Sequence, residues 1–266
     1  VLALAILGLV QGLTEFLPVS STAHLLFAEH YLAITRPGLV LEAVLHLGTV
    51  AAAVVMFWPD VIRLLRAVPG VFRRGGKHLA EAPERRLLLA IVAATVVTGV
   101  VGLAFERPLE QMFHSVRGTA YQLAVTGGIL LWSRERGAKG AGDATLRDGV
   151  ALGAAQALAI IPGISRSGTT IIAALLLGYQ RTEAARLSFL IAIPAILGAS
   201  LFSLKDAAEA SALGFTALEL AIGGVFAAAS GALAIAWLLG LVRRQRLIWF
   251  AGYCWLLAAF VLVTTR

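Results

Sequence analysis

Six long apolar stretches set the limits on what this chain can become: residues 39–58, 87–104, 118–133, 183–203, 217–240 and 247–265. A helix needs about 20 predominantly apolar residues to cross the hydrocarbon core of a bilayer, and each stretch approaches that length. Lipid offers no water to satisfy peptide groups, so spanning segments must be helices or a closed barrel; runs this long select helices. Charged residues are only 14% of the 266 positions, against about 25% in soluble domains. A soluble globular protein is thereby excluded, and an integral membrane protein is the class that fits.

Two further apolar regions, 1–33 and 148–178, are interrupted by LPVSS and IPGISRSG. Each half is too short to span, so both regions are predicted to be re-entrant helix-loop-helix hairpins. The opening VLALAILGLV has no basic flank and runs straight into QGLTEFLPVSS, so it is read as folded structure rather than a secretory signal. The single cysteine, Cys254, leaves no intrachain disulfide and no cysteine metal site.

The two broken regions resemble each other. GLVQGLTEFLPVSST (8–22) and GAAQALAIIPGISRSGT (153–169) share the Gly8/Gln11 and Gly153/Gln156 spacing, a following proline (Pro18, Pro162) and a serine-rich break. LEAVL (41–45) echoes TEAAR (182–186) at the start of a span. The expected fold is an all-α membrane domain over 1–266, with six transmembrane helices and two re-entrant hairpins. Repeat 1 covers about 1–133 and repeat 2 about 148–266. Three crossings per half is an odd number, so the second half is inverted in the membrane.

Charge placement agrees. With the basic loop 59–86 in the cytoplasm, segments 134–148, 179–186 and 241–246 share its side, and together they hold 16 of the 22 Lys and Arg residues. The opposite side holds Arg36, Arg107, Arg117, Lys205 and Arg266. This asymmetry follows the positive-inside rule. It assigns the net charge of +7 to membrane orientation rather than nucleic-acid binding. The remaining arginine, Arg166, falls inside the second break. The two hairpins then enter from opposite sides, and their breaks meet near the midplane.

The chemistry lies at these breaks. Gln11 and Glu15 are four residues apart on one helical face, and Pro18 ends that helix. Ser20 or Ser21 caps the next half-helix, on which Ser21 and His24 share a face. Gly163 and Gly168 loosen the second break; Ser165, Ser167 and Thr169 offer hydroxyls. Each half-helix N-terminus carries free N–H groups and about half a positive charge, a site for an anion. The Arg166 guanidinium matches phosphate oxygens. Glu15 and Arg166 each cost roughly 2.5–3.5 kcal/mol at mid-membrane, and an ion pair seldom recovers that as stability. Such charges mark function.

QGLTE (11–15), PVSSTAH (18–24) and PGISRSGTT (162–170) resemble the signature motifs of the undecaprenyl-diphosphate phosphatases, the bacitracin-resistance family of bacterial membrane proteins. The likeness runs along essentially the whole chain. It implies removal of the terminal phosphate from a C55 isoprenyl diphosphate, which recycles the cell-wall lipid carrier. It also implies a divalent cation, Mg²⁺ or Ca²⁺, and an inner-membrane site open to the outer face. The family's essential residues match Glu15, Ser21, His24 and Arg166, with Gln11 at the first position of an (E/Q)xxxE pattern. Ala23, where glycine is common, and the long 59–86 loop depart from the pattern without touching the chemistry. Glu15 and Gln11 are the expected cation ligands; Ser20, Thr22, Ser165, Ser167, Gly168 and Thr169 the expected phosphate contacts. The nucleophile stays open between Ser21 with His24 as base, His24 itself, and water.

Plainer roles compete at several positions. Gln11 and Gln156 suit helix–helix hydrogen bonding, and Ser20, Thr22, Ser165 and Ser167 suit helix capping. His46, within LHLGT, reads as structural. Glu42 and Glu183 read as helix-start acids or as partners of Arg166 or His24. His30, His78 and His114 fall in loops. A lipid-phosphate flippase built on the same inverted repeat is the alternative function. A carrier needs the charge but no nucleophile, which favours the enzyme. Beyond the isoprenyl diphosphate and membrane lipids, a homodimer partner stays open, because a pair such as Gly223/Gly224 is too weak a signal to argue for one.

Overall fold

The computed structural model describes residues 1–32, 39–72, 82–113, 115–134, 137–204, 216–244 and 246–265. His78, His114, Arg36, Lys205 and Arg266 lie outside them. The described elements are helical apart from one isolated bridge, Lys139 to Tyr179. In chain order they are α1 (Leu2–Phe16), α2 (Ser21–Tyr31), α3 (Leu39–Met56), α4 (Trp58–Phe72), α5 (Pro83–Ala104), α6 (Glu106–Met112) and α7 (Val116–Leu130). After a 3₁₀ turn at Ala141–Asp143 come α8 (Leu146–Leu158), α9 (Arg166–Leu176), α10 (Arg181–Ser203), α11 (Ala217–Arg243) and α12 (Ile248–Thr264).

Three helices, α5, α10 and α11, are each long and apolar enough to cross a membrane as one rod. The bent pair α3–α4 passes the same test jointly, and α12, also apolar, has 17 residues. The chain is a multi-pass membrane protein. Along α5 the partition is inside-out relative to a soluble helix: Leu87, Ala90, Ile91 and Ala94 are buried, while Val92, Val96, Val100 and Leu103 face outward. Lipid tails are as apolar as these side chains, so helices associate by close packing of small residues rather than by hiding large ones.

Close approach is visible where α11 meets two partners. A Cβ on Gly8 of α1 would sit 2.4 Å from the Gly223 carbonyl oxygen, and one on Gly48 of α3 would sit 2.3 Å from that of Gly224. The Gly223/Gly224 pair is thus engaged in packing α1 and α3 within the chain. The second half repeats the device. Gly149 and Gly153 of α8 lie against the backbone of Ala90 and Ala94 in α5.

The region 59–86, read from sequence as a basic loop, begins instead with a helix. α4 carries Val61, Leu64 and Val68 on one face, with Arg63 and Arg66 on the other, a 3.6-residue alternation that favours an amphipathic helix. It leaves α3 at 88°. Arg186 of α10 anchors it through a two-pronged bond to Asp60, with Nε 3.0 Å from Oδ2 and a second contact to Oδ1, while its NH1 reaches Glu183 at 3.2 Å.

Both predicted breaks are present between short helices. Leu17, before Pro18, is extended (φ −69°, ψ 145°), and α1 stops there. Ser20 then caps α2 through the Ala23 N–H, and Ser165 caps α9 through the Gly168 N–H. Thr126 of α7 pins the second break: its hydroxyl donates to Gly163 O at 2.8 Å and accepts from Ser165 N at 3.0 Å. The Thr170–Ser188 hydroxyl contact, 2.5 Å, ties α9 to α10. The two breaks touch each other, since Ser167 Oγ donates to Leu17 O at 2.9 Å.

Candidate active site

Where the breaks meet, one carboxylate gathers the polar groups. Glu15, on the last turn of α1, accepts from Arg166 NH2 on Oε1 at 2.7 Å. Its Oε2 accepts from Ser21 Oγ at 2.6 Å and Gln11 Nε2 at 2.9 Å. Gln11 and Glu15 reach the same place because they lie one helical turn apart. Ser21 and Arg166 occupy the first helical positions of α2 and α9, directly after their capping serines, so both project from helix N-termini. Glu15 is 7% exposed and Gln11 fully buried.

Two atoms in this cluster have no hydrogen-bond partner although both are buried: Arg166 NH1 and Gln11 Oε1. A buried unpartnered donor costs about 1–3 kcal/mol. Arg166 thus holds Glu15 with one arm and keeps the other arm available. Ser20 adds local strain, with φ +66°, a left-handed conformation that costs a non-glycine residue about 1–3 kcal/mol and recurs at functional sites.

His24 is placed differently from the Ser21–His24 pairing considered from sequence. Its Nδ1 lies 2.8 Å from Ser20 O, so Nδ1 carries the proton that is donated there. Its Nε2 then accepts from the Tyr253 hydroxyl at 2.7 Å, with the rings stacked at 6°. Ser21, three residues away, gives its proton to Glu15. The predicted phosphate contacts divide as well. Ser165 Oγ is 3.2 Å from Ser167 Oγ, and Thr169 Oγ1 donates back to Ser165 O at 2.8 Å. These hydroxyls and the Gly168 N–H hold the second break. Ser20 caps α2, and Thr22 is half-buried in that helix's first turn. Glu183 bonds Ala141 N at 2.9 Å and Arg186, away from Arg166.

Two members of the constellation escaped the sequence reading. His46 of α3 places Nδ1 2.9 Å from Gln11 Nε2 and 3.5 Å from Glu15 Oε2. A histidine within an apolar span is a functional candidate on cost alone, and that signal was present in LHLGT. Tyr253 lies in an apolar run that gave no sign of its role. In the second half Gln156, the counterpart of Gln11, bonds Thr98 Oγ1 at 3.0 Å. Ile160 follows it at the spacing at which Glu15 follows Gln11, so that half repeats the glutamine without the acid. Among the described residues no three His, Cys, Asp or Glu side chains cluster as a metal centre. The oxygen donors at the site are those of Glu15, Gln11 and Ser21.

Comparison with known proteins gives a consistent result. The family described as bacitracin resistance protein BacA matches residues 4–260. A protein named undecaprenyl-diphosphatase from Syntrophotalea carbinolica is 43% identical over 255 residues, covering 95% of this chain and 94% of its own length. Proteins of the same name from Methanobrevibacter smithii and Halothermothrix orenii are 40% and 38% identical, covering 96% and 97% of this chain and 94% and 95% of their own lengths.

Proposed function

The chain belongs to the bacitracin resistance protein BacA family, and on that premise we propose that it hydrolyses undecaprenyl diphosphate to undecaprenyl phosphate and inorganic phosphate. The observation that carries this reading is the divided guanidinium of Arg166, with one arm on Glu15 and a buried, unpartnered NH1 beside the N-termini of α2 and α9. Phosphoryl transfer needs donors preorganised for charge on the equatorial oxygens; Arg166 NH1 and the first-turn N–H groups supply them.

In this reading Ser21 attacks the terminal phosphorus and its proton passes to the Glu15 carboxylate, to which it already donates at 2.6 Å. The Oγ–P bond forms as the anhydride P–O bond breaks, and undecaprenyl phosphate leaves without needing a proton. Water then attacks the phosphoserine phosphorus, and the Oγ–P bond breaks. Glu15 returns its proton to Ser21 Oγ, and dihydrogen phosphate departs. Tyr253 and Ser20 O fix the His24 ring at the margin of the site.

A divalent cation fits the residues present. Gln11 Oε1 is a buried oxygen with no partner next to the Glu15 carboxylate, and hard cations with few protein ligands complete their shell with substrate oxygens and water. Glu15 and Gln11 would hold the ion, which when bound neutralises charge on the diphosphate.

The proposed topology has six crossings and two non-crossing hairpins, with the second half inverted, both termini outside and the site open to the outer face of the inner membrane. The helix pairing supports it: α1 packs on α11 as α8 packs on α5, and α3 packs on α11 as α10 packs on α5. Exchanging the halves maps these pairs onto each other. A flippase needs that repeat but no Ser21–Glu15 proton path. The deciding experiment is phosphate release from a long-chain isoprenyl diphosphate by purified protein in detergent, with phosphoserine sought at Ser21 by mass spectrometry after rapid quench. Absence of phosphate release defeats the enzyme reading. Release without phosphoserine moves the nucleophile away from Ser21.

A further inference from the structure

Resting on the cation reading above, we infer that His46 is a third ligand of the cation, and that its imidazole makes the site prefer Mn²⁺ over Mg²⁺. The argument starts from the Gln11 amide nitrogen, which lies 2.9 Å from both Glu15 Oε2 and His46 Nδ1. Its two N–H bonds point at a carboxylate oxygen and an imidazole lone pair. His46 Nδ1 is therefore unprotonated, because an N–H there would meet the amide N–H head on. Two electron-pair donors from different helices thus converge on one point, and the positive end of an amide dipole fills it.

Three observations turn that point into a cation site. Glu15 Oε2 and His46 Nδ1 are 3.5 Å apart, the separation of two ligands that each stand about 2.0–2.2 Å from one ion at a wide angle. The oxygen of the same Gln11 amide is buried and unpartnered, and turning the amide about its terminal torsion brings that oxygen to face the gap between Glu15 Oε2 and His46 Nδ1, where an ion bound to all three would sit. The His46 side chain is 30% exposed while that of Glu15 is 5% exposed, so the imidazole edge is where an ion enters. The resulting set, one carboxylate, one amide oxygen and one imidazole, differs from an all-oxygen set. Mn²⁺ shares the oxygen preference of Mg²⁺ and Ca²⁺ but, as a first-row transition cation, accepts an imidazole nitrogen that those two take poorly.

The test is cation binding rather than turnover. Metal-free protein in detergent is titrated with Mn²⁺, and free ion is counted by electron paramagnetic resonance, with Mg²⁺ as competitor. Electron spin-echo modulation then reports any directly bound nitrogen. Wild type should bind one Mn²⁺ with a nitrogen coupling, and displacing it should take at least about tenfold more Mg²⁺. His46→Leu should lose the coupling and at least about tenfold in Mn²⁺ affinity, with Mg²⁺ affinity little changed. His46→Gln, which keeps a polar group facing Gln11, serves the same purpose should the leucine variant not fold. Glu15→Gln should lose the ion. Mn²⁺ bound without nitrogen coupling, and equally by the His46 variants, overturns the role of His46 and leaves the cation reading intact. Mn²⁺ retained by Glu15→Gln, or no Mn²⁺ bound by wild type, overturns both, while phosphate release tests the hydrolase reading separately.

Discussion

Arg166→Lys separates a counter-ion from a phosphoryl clamp. Lysine keeps the positive charge but presents one rotatable ammonium in place of a planar fork. In the structure the fork does two things in different directions: NH2 holds Glu15 Oε1 at 2.7 Å, and NH1 stands buried without a partner. An ammonium reaching Glu15 cannot also occupy the NH1 position. If balancing Glu15 is the whole role, lysine suffices, since the Glu15 contact survives. If NH1 donates to the phosphoryl group in the transition state, lysine forfeits that donor. One preorganised donor of this kind is worth about 2.7–4 kcal/mol, so kcat should fall roughly 100- to 1,000-fold, with a smaller change in KM. The assay is phosphate release from a long-chain isoprenyl diphosphate with Mg²⁺, Ca²⁺ or Mn²⁺ present. Size-exclusion behaviour and melting temperature should match wild type, because the packing between α1, α3, α5 and α11 does not involve this side chain. Turnover within about threefold of wild type would reduce Arg166 to a counter-ion and remove the main support for phosphoryl transfer here.

Glu15→Gln should abolish cation-dependent activity with the fold retained, since it removes charge at constant volume, while Gln11→Glu should be tolerated; an active, equally cation-dependent Glu15→Gln enzyme moves the metal elsewhere. Tyr253→Phe removes the donor to His24 Nε2, worth about 0.5–1.5 kcal/mol, and should lower kcat/KM roughly two- to tenfold; no change would make that contact incidental. A Cβ at Gly12 would lie 2.0 Å from Ser230 Oγ and 2.3 Å from the Ala227 carbonyl oxygen, so Gly12→Ala should destabilise by about 1–3 kcal/mol; an unchanged melting temperature would refute the close α1–α11 packing. Cysteines at Gly75 and Ser211, both outside the described residues, should react with impermeant thiol reagents from opposite faces of the membrane. Reaction from the same face would refute the inverted topology.

The parts of this fold that were legible in sequence share a physical cause. Helix 183–203 was readable because lipid forbids any other backbone state for so long an apolar run, and the helix runs Arg181–Ser203. The breaks were readable because Pro18 cannot continue a helix and Gly163 takes a φ of +94° that a helix does not allow. Tertiary direction was not readable. Spacing put Ser21 and His24 on one face, but the His24 ring turns to Tyr253, 229 positions away. His46 looked structural because nothing in LHLGT says which way α3 faces. The sequence of α4 reads as a loop because its charge count outweighs its periodicity.

Corresponding positions in the two broken regions carry different chemistry. Ser20 and Ser165 are equivalent caps nine residues after equivalent glutamines, Gln11 and Gln156, and the residue after each cap opens its half-helix. In the first half that residue is Ser21, a hydroxyl; in the second it is Arg166, a cation. Four residues after each glutamine stands Glu15 in one half and Ile160 in the other. Each half alone is incomplete. The first has an acid and a hydroxyl but no guanidinium at its break, and the second has the guanidinium but no acid. Bringing the two breaks into contact, through Ser167 on Leu17 and Arg166 on Glu15, puts a carboxylate and a guanidinium side by side. A carrier that alternates between equivalent states gains nothing from such a division of labour. A hydrolase requires it, because its two functions, activating an oxygen and neutralising a phosphoryl group, call for opposite charge within hydrogen-bonding distance.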